Sequence, residues 1–273
     1  MTVPAPSLFE ALRAALAECD PEAKAALAIG IARGLEDGAL AIDGQAQAPE
    51  RVDDPGRPAK PALVAPRDVP SRGLGSVEGR AGLLHAVAHI EFNAINLALD
   101  AAWRFRGMPR QFYLDWTSVA ADEARHFRML RVRLEELGYE YGGFAAHNGL
   151  WEMARKSAYS CLARMALVPR LLEARGLDVT PGMIARLRGQ GDHASVAVLE
   201  TILAEEIGHV AIGSRWFAWC CEREGKAPGE TFLELLHDVA RGAIRGPFNL
   251  EARRAAGFDD AELAKLAALA GAA

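Results

Sequence analysis

The sequence is short of the features that mark secreted, membrane-spanning and sheet-rich proteins. Its 273 residues include four cysteines: Cys19, Cys161, Cys220 and Cys221. Their spacing fits neither a disulfide framework nor a metal-binding motif. The longest apolar stretch, residues 83–103, is interrupted by six polar or charged residues and does not predict a membrane span. The chain also has neither a signal-like start nor the alternating polarity of strands. We therefore expect an all-α, cytoplasmic protein.

An excess of positive charge is absent as well. There are 31 Lys and Arg residues against 36 Asp and Glu residues, which gives a net charge of −5. Binding nucleic acid over a broad surface requires many basic groups on one face, so the net charge argues against it. Two local arginine clusters leave nucleic acid open as a partner. They are Arg125, Arg128, Arg131 and Arg133, and Arg241, Arg245, Arg253 and Arg254. Solvated helix faces and intramolecular ion pairs explain both clusters more simply.

Residues 121–127, ADEARHF, place two carboxylates, a guanidinium and an imidazole in a segment with the pattern of a core-facing helix. The helical neighbours of Glu123 at three, four and seven residues are apolar except for His126. A buried carboxylate is costly unless it is paired or bound to a metal. Glu123 and His126 project from one helix face and can reach the same ion. A Glu-x-x-His pair in a helix bundle is typical of dinuclear carboxylate sites.

The Glu-x-x-His pattern occurs three times. With 22 Glu and 7 His residues, chance gives about half a match, so one occurrence alone would decide nothing. The second match, Glu206–His209, lies on another apolar stripe, and the third is Glu234–His237.

A lone glutamate precedes each of the first two matches by almost the same distance. Glu91 lies 32 residues before Glu123, and Glu173 lies 33 residues before Glu206. Glu91 has an apolar helix face around it, whereas the stripe around Glu173 is less regular and offers Arg170 as a charge partner. No glutamate precedes the third match at this distance, so we interpret it as ordinary, solvated helix. The spacing indicates an approximate duplication of one half-site.

This order of residues resembles the ferritin-like di-iron carboxylate superfamily, and ADEARHF is similar to the Asp-Glu-x-Arg-His motif of its bacterial monooxygenases. The phrases HAVAHIE, FAAHNGLWEMARK, LVPRLLEARGLDVTPGM and GPFNLEARRAAGF resemble an uncharacterised bacterial ferritin-like family, domain of unknown function 455. That resemblance covers roughly residues 70–260. The tRNA hydroxylase that acts on isopentenyl-adenosine shares the same ligand order more distantly.

The resemblance implies a dinuclear metal site. Its ligands would be Glu91, Glu123, His126, Glu173, Glu206 and His209. Glu123 and Glu206 would bridge the two ions, and the other four ligands would be terminal. Carboxylate and imidazole donors suit iron and manganese, so we expect two ions, Fe/Fe or Mn/Fe. Asp122 and Glu205, directly before the bridging glutamates, either orient the histidines or are ordinary surface acids.

The function implied is that of an oxygen-activating oxidase or hydroxylase. It would use O2, an unidentified small substrate and an electron-donor protein. The alternatives are ferritin-type iron oxidation and storage or peroxide detoxification, with a tRNA-modifying hydroxylase as a weaker one. The segments outside the bundle exceed what a minimal storage subunit needs, which favours the enzyme. A homo-oligomer is compatible with all of these functions.

The sequence predicts an all-α fold in four parts. These are an N-terminal helical preface (1–42), a Pro-rich extended arm (43–75), a ferritin-like four-helix bundle with the dinuclear site (76–225) and a C-terminal helical extension (226–273). Six prolines in the arm exclude a helix there and favour an extended chain, which either covers the bundle or acts as a flexible linker.

Turn and capping residues predict the helix limits. The expected helices of the preface start after Ser7 and at Pro21, and the bundle helices are 76–106, a second ending at 137, 149–176 and 192–223. Pro169 should disturb the third of these, and Thr180-Pro181 should begin a separate short turn. A helix over 231–244, irregular chain and a last helix with a capping box at Asp259 should follow.

Overall fold

The computed structural model of the chain describes residues 5–43, 52–239 and 244–271. Over these residues the chain is helical, and β-structure is limited to isolated bridges. It divides into two compact units, unit 1 (Met1–Trp151) and unit 2 (Glu152–Ala273), and each is described by itself. None of the helices in the described ranges is both long enough and apolar enough to cross a lipid bilayer. The four ranges expected from the sequence as domains stay a prediction.

Unit 1 is built on α1 (Leu8–Ala17), α2 (Pro21–Glu36), α3 (Val77–Arg104) and α4 (Arg110–Glu136). The short connection 105–109 turns the chain back, so that α3 and α4 pack along each other. Helix α2 packs on α4, and α1 packs on α2 and α3. Apolar side chains fill the space between these helices, including Phe92, Trp116 and Phe127. The pair α3 and α4 is the scaffold for the first half-site.

The predicted starts of α2 and α3 are confirmed by their caps. Asp20 accepts a hydrogen bond from the backbone N–H of Ala23 at 2.8 Å, and Ser76 accepts one from Gly79 at 3.0 Å. Helix α1 also starts after Ser7, but the Ser7 side chain makes no capping hydrogen bond. The N–H of Leu8 donates instead to a backbone carbonyl outside the helix, which takes over the role of the cap.

The described part of the Pro-rich arm, residues 52–75, is irregular chain with bends and turns, and its only helical element is one 3₁₀ turn, Pro66–Asp68. Backbone hydrogen bonds hold it to other segments of unit 1. The N–H of Gly56 donates to Leu16 at 2.7 Å, and the N–H of Val64 donates to Ala146 at 2.8 Å. The indole N–H of Trp151 donates to the carbonyl of Asp53 at 2.8 Å. This part of the arm therefore lies against other segments of unit 1.

The boundary between the two units falls within α5 (Gly149–Lys156), after Trp151. The remaining elements of unit 2 are α6 (Cys161–Leu167), a π-helical segment (Val168–Glu173), α7 (Ala174–Gly189), α8 (His193–Glu224), α9 (Pro228–Val239), α10 (Leu250–Ala255) and α11 (Asp260–Gly271). Helix α8 packs against α6, the π-helical segment and α7. Its predicted start is confirmed, since Asp192 accepts a hydrogen bond from the N–H of Ser195 at 3.1 Å.

The prediction of one helix over residues 149–176 is wrong. Helix α5 ends at Lys156, and a new helix begins after Ser160, whose side chain caps the N–H of Ala163 at 3.4 Å. The expected disturbance at Pro169 is confirmed and takes the form of the π-helical segment. A proline has no N–H to donate, and the wider π turn accommodates its ring within a continuous helical stretch.

The separate turn expected at Thr180-Pro181 is also wrong, because α7 continues through Pro181. The carbonyl of Leu177, four residues earlier, cannot accept a hydrogen bond from the proline. The side-chain amide of Asn249 donates to this carbonyl at 3.2 Å and replaces the missing bond. Asn249 also caps α10, a helix that the sequence patterns did not predict.

The C-terminal end agrees better with the sequence. The capping box is confirmed, since Asp259 and Glu262 each accept a hydrogen bond from the other's backbone N–H. The helix expected over 231–244 is described as α9 up to Val239. Its expected last turn, including Arg241 of the C-terminal arginine cluster, lies outside the described residues.

Candidate metal centre

Three of the predicted ligands meet in unit 1. Glu91 projects from α3, and Glu123 and His126 project from α4. Nδ1 of His126 lies 3.2 Å from Oε2 of Glu91 and 3.6 Å from Oε2 of Glu123. Each of the three residues offers a ligand atom within 4.8 Å of the others. Donor atoms that share an ion at about 2.1 Å from each stand about 3–4 Å apart, so small side-chain movements would suffice.

The three side chains are removed from water, as the apolar stripes in the sequence predict. Glu91 is 4% exposed, Glu123 is 1% exposed and His126 is fully buried. Two ionised carboxylates in such a place are unfavourable without a compensating cation. In the structure the imidazole of His126 lies between the two carboxylates and, when protonated, supplies that charge. A metal ion would supply more of it.

Two opposing effects act on the pKa of His126. Burial lowers this pKa, but hydrogen bonds and charge attraction from Glu123 and Glu91 outweigh burial and raise it to about 11. The imidazole is therefore protonated at neutral pH when it sits between the two carboxylates. The direction of this shift reflects the negative charge that Glu91 and Glu123 place around the imidazole.

Hydrogen-bonded and aromatic side chains surround this part of α3. Nδ1 of His89 lies 2.9 Å from the hydroxyl of Tyr141, and the side-chain amide of Asn93 lies 3.1 Å from Nε2 of the same histidine. Phe127 packs edge-on against Tyr141. His89 is thus a packed, hydrogen-bonded histidine.

Unit 2 repeats the local arrangement of the first half-site. Nδ1 of His209 lies 3.2 Å from Oε1 of Glu206, three residues earlier on α8. His209 is 3% exposed, and the side chain of Glu206 is 12% exposed. Glu173 is the last residue of the π-helical segment and is half-buried. A carboxylate and an imidazole are therefore paired in this unit as they are in unit 1.

The remaining candidates lie nearer to solvent. Asp122 accepts a hydrogen bond from Arg125 at 2.9 Å on the outer side of α4, and Glu205 is half-exposed on α8. Their proposed role in orienting the histidines stays a prediction. Glu234 is exposed, and His237 is 65% exposed beside Asp238, which confirms that the third match is solvated helix.

The sequence patterns did not predict that Lys24 and Arg170 are buried. Lys24 of α2 is fully buried and donates to the side-chain oxygen of Asn96 on α3. Its apolar helical neighbours Ala28 and Ile31 were a signal of this burial. Arg170, considered as a partner for Glu173, pairs instead with Glu262 at 2.8 Å.

The donor set of the first half-site can therefore hold a metal ion. Two carboxylates and one imidazole are hard-to-intermediate ligands, which suit iron, manganese or zinc and would not select copper(I). The structure leaves the identity and the number of ions to be proposed from the chemistry.

Comparison with known proteins agrees with one of the resemblances. The model of a family described as "Protein of unknown function (DUF455)" matches residues 17–264. An "Uncharacterized protein" of Haemophilus influenzae is 49% identical over 213 residues, which are 76% of this chain and 74% of the relative. No solved structure matches the chain. The resemblance to domain of unknown function 455 is confirmed, whereas that to the ferritin-like superfamily stays a prediction.

Proposed function

The chain belongs to the DUF455 family, and we propose that it is a dinuclear iron or manganese–iron carboxylate protein that uses oxygen to oxidise or hydroxylate a small substrate. The observation that carries this proposal is the buried cluster of Glu91, Glu123 and His126. Buried carboxylates beside an imidazole are costly to keep without a cation, which makes a metal site the simplest reason for them.

The second ion rests on the duplication in the sequence. Glu173, Glu206 and His209 repeat the types and the spacing of the first three residues. Six such ligands on four helical stretches are the pattern of the ferritin-like di-iron proteins, so we propose a four-helix bundle in which both half-sites hold one dinuclear centre. These six residues, Glu91, Glu123, His126, Glu173, Glu206 and His209, would hold the two ions.

The residues of the chain would prepare the site before any reaction. Glu91 and Glu123 would balance the charge of the ions, and His126 would have to give up one proton to become a ligand. The apolar residues of α3 and α4 around them would exclude water and leave few competing ligands. Bound there, the two ions would supply the redox chemistry with oxygen that no protein side chain provides.

Iron oxidation and storage is the second candidate, because the same donors would also bind Fe(II) that is passing to a mineral. The elements of unit 1 that carry no predicted ligand favour the enzyme. Helices α1 and α2 and the arm pack beside the helices that carry the ligands, and such additions can enclose a substrate. A cytoplasmic location and an electron-donor protein belong to the same proposal.

An Fe(II) titration under air separates these functions. An enzyme should saturate near two irons per chain in a small particle, whereas a store should continue to tens of irons per chain in a cage-sized particle. Iron uptake and particle size would be followed by absorbance and light scattering. A Glu123→Ala variant should lose the saturable uptake, and a Glu234→Ala variant should keep it. Uptake far beyond two irons per chain would overturn the enzyme and establish the store.

A further inference from the structure

Unit 2 contains a cavity that the metal chemistry does not use. Its walls come from the π-helical segment, α7, α9, the stretch after residue 243, and α10 and α11. The residues lining it are Arg170, Leu171, Leu172, Arg175, Phe232, Ile244, Arg245, Phe248, Arg253 and Leu266. Its volume is about 50 Å³. Because one water needs about 10–15 Å³ on this measure, the cavity has room for an oxyanion or a few waters.

Positive charge exceeds negative charge around this cavity. Four arginines line it, and no acid is among the described residues of its wall. Arg253 forms a two-pronged ion pair with Asp178, at 2.8 and 3.0 Å, and Arg175 lies 3.7 Å from the same carboxylate. A single acid therefore serves two guanidinium groups. Arg170 is paired to Glu262 and also lies within reach of the charge of Asp259, and Arg245 lies at the rim. Four positive charges therefore face three negative ones.

Arg170 is one of the two deeply buried arginines of the cavity wall. It is 3% exposed, and its guanidinium lies 4.3–5.0 Å from the ring centres of Phe217, Phe232 and Phe258. Burial lowers the pKa of Arg170, which the charge of Glu262 partly offsets. Within the described part of the chain, its buried Nε–H has no hydrogen-bond acceptor. A buried donor without an acceptor costs free energy that a bound anion would recover.

Arg175 and Arg245 form the more accessible side. Nη1 of Arg175 donates to the backbone carbonyl of Arg245 at 2.7 Å, which ties the stretch after residue 243 to α7. The Arg245 side chain is exposed and can turn toward an incoming ligand, whereas the Arg175 guanidinium is partly exposed and is held at the mouth by this hydrogen bond. The remaining wall, with Leu171, Phe232 and Phe248, is apolar and can contact the hydrocarbon part of a small ligand.

We propose that this cavity binds the oxyanion group of a small molecule, a carboxylate or a phosphate, between Arg170 and Arg253 inside and Arg175 and Arg245 at the mouth. Guanidinium groups are the side chains best suited to such anions, because their paired N–H donors match two oxygens at once. The site requires no metal and stands apart from the proposed function. Its position on the π-helical segment places the bound anion against the element that also carries Glu173.

Two probes distinguish the sources of the anion. Sodium phosphate and sodium hexanoate would be titrated into the full chain by calorimetry at constant ionic strength. We expect millimolar or tighter binding of at least one of them with one site per chain. The Arg245→Gln variant should weaken it about tenfold, because one charge-assisted hydrogen bond is lost. Arg188→Gln, at an exposed ion pair with Glu200 in the same unit, should leave binding unchanged.

The outcomes decide the proposal and its chemistry. Phosphate binding alone assigns a phosphate ligand, and hexanoate binding alone assigns an organic acid. If Arg245→Gln lowers the melting temperature, Arg175→Gln provides a second variant, which is also expected to weaken binding. If neither probe gives a heat of binding at concentrations of about 10 mM, the proposal is overturned. Equal affinities in Arg245→Gln, Arg175→Gln and Arg188→Gln would overturn it as well.

Discussion

Lys24 is a charged side chain in surroundings unlike those of a surface residue. Its ammonium group donates to the backbone carbonyl of Leu16 at 3.1 Å and to Oδ1 of Asn96 at 2.5 Å, and it lies 5.6 Å from the centre of the Phe92 ring. Burial is the main cause that lowers the pKa of Lys24, to about 7. The folded protein therefore releases this proton far more readily than the unfolded chain, in which the pKa is 10.5.

This difference predicts how stability depends on pH. Between pH 7 and 10.5 the unfolded chain holds the Lys24 proton and the folded protein does not, so the free energy of unfolding rises with pH. The gain relative to Lys24→Met should approach about 1.4 kcal/mol per pH unit within this window and vanish below it. Urea unfolding of both proteins at pH 6, 7, 8 and 9 measures the difference.

The exposed residue Lys265 provides the control for this experiment. Lys265→Met should differ from the unchanged protein by the same amount at every pH, because its side chain is solvated. A constant difference between the Lys24→Met variant and the unchanged protein would show that Lys24 keeps its proton on folding.

At the candidate metal site, the spacing of apolar residues predicted the burial of a side chain well when that side chain lies in a long helix. Glu91 and Glu123 lie within helices of 28 and 27 residues, so their neighbours at three, four and seven residues define a face clearly. Lys24 lies four residues into a helix of 16 residues, where only the following turns define the face. A lysine there is read as a surface residue, and its partner Asn96 is 72 positions away.

Among the elements, the sequence predicted those helix ends that are set by a neighbouring residue. Asp20 and Ser76 each cap the helix that follows. Gly138 and Gly225, which follow the C-terminal ends of α4 and α8, have φ values of +83° and +65°. The continuation of α7 through Pro181 depends on a side chain about 70 residues further on. No local pattern contains that information.

The π-helical segment depends on a close contact with α8. A Cβ atom built on Gly213 would lie only 2.3 Å from Cβ of Pro169. Gly213→Ala should therefore force the two elements apart and lower the free energy of unfolding by about 1–3 kcal/mol, as overpacking does. Thermal and urea unfolding of the variant measure this loss.

Gly182→Ala in α7 is the matched control, because nothing lies within 4 Å of its added methyl group. It should raise the free energy of unfolding by about 0.5–1 kcal/mol, since alanine favours a helix over glycine. Equal effects of the two substitutions would mean that the contact between Pro169 and Gly213 does not limit the approach of these elements.

For the whole molecule, the sequence predicted a helical protein with a duplicated set of ligands. The structure has a Glu–His pair three residues apart in each unit, Glu123–His126 and Glu206–His209, and a further glutamate of the predicted set earlier in each, Glu91 and Glu173. Helical periodicity shows which face of a helix is buried but does not name the helix that covers it. The four-helix bundle and the shared dinuclear centre therefore rest on the spacing of these residues and on their donor chemistry.

The metal content of the whole chain tests this account most directly. Protein reconstituted with Fe(II) or Mn(II) without oxygen and freed of loosely bound metal would be measured by elemental analysis against its concentration. We predict close to two ions per chain, a loss of the paired site in Glu123→Ala or Glu206→Ala, and no loss in Glu234→Ala or His237→Ala. A chain that retains neither iron nor manganese would contradict the account.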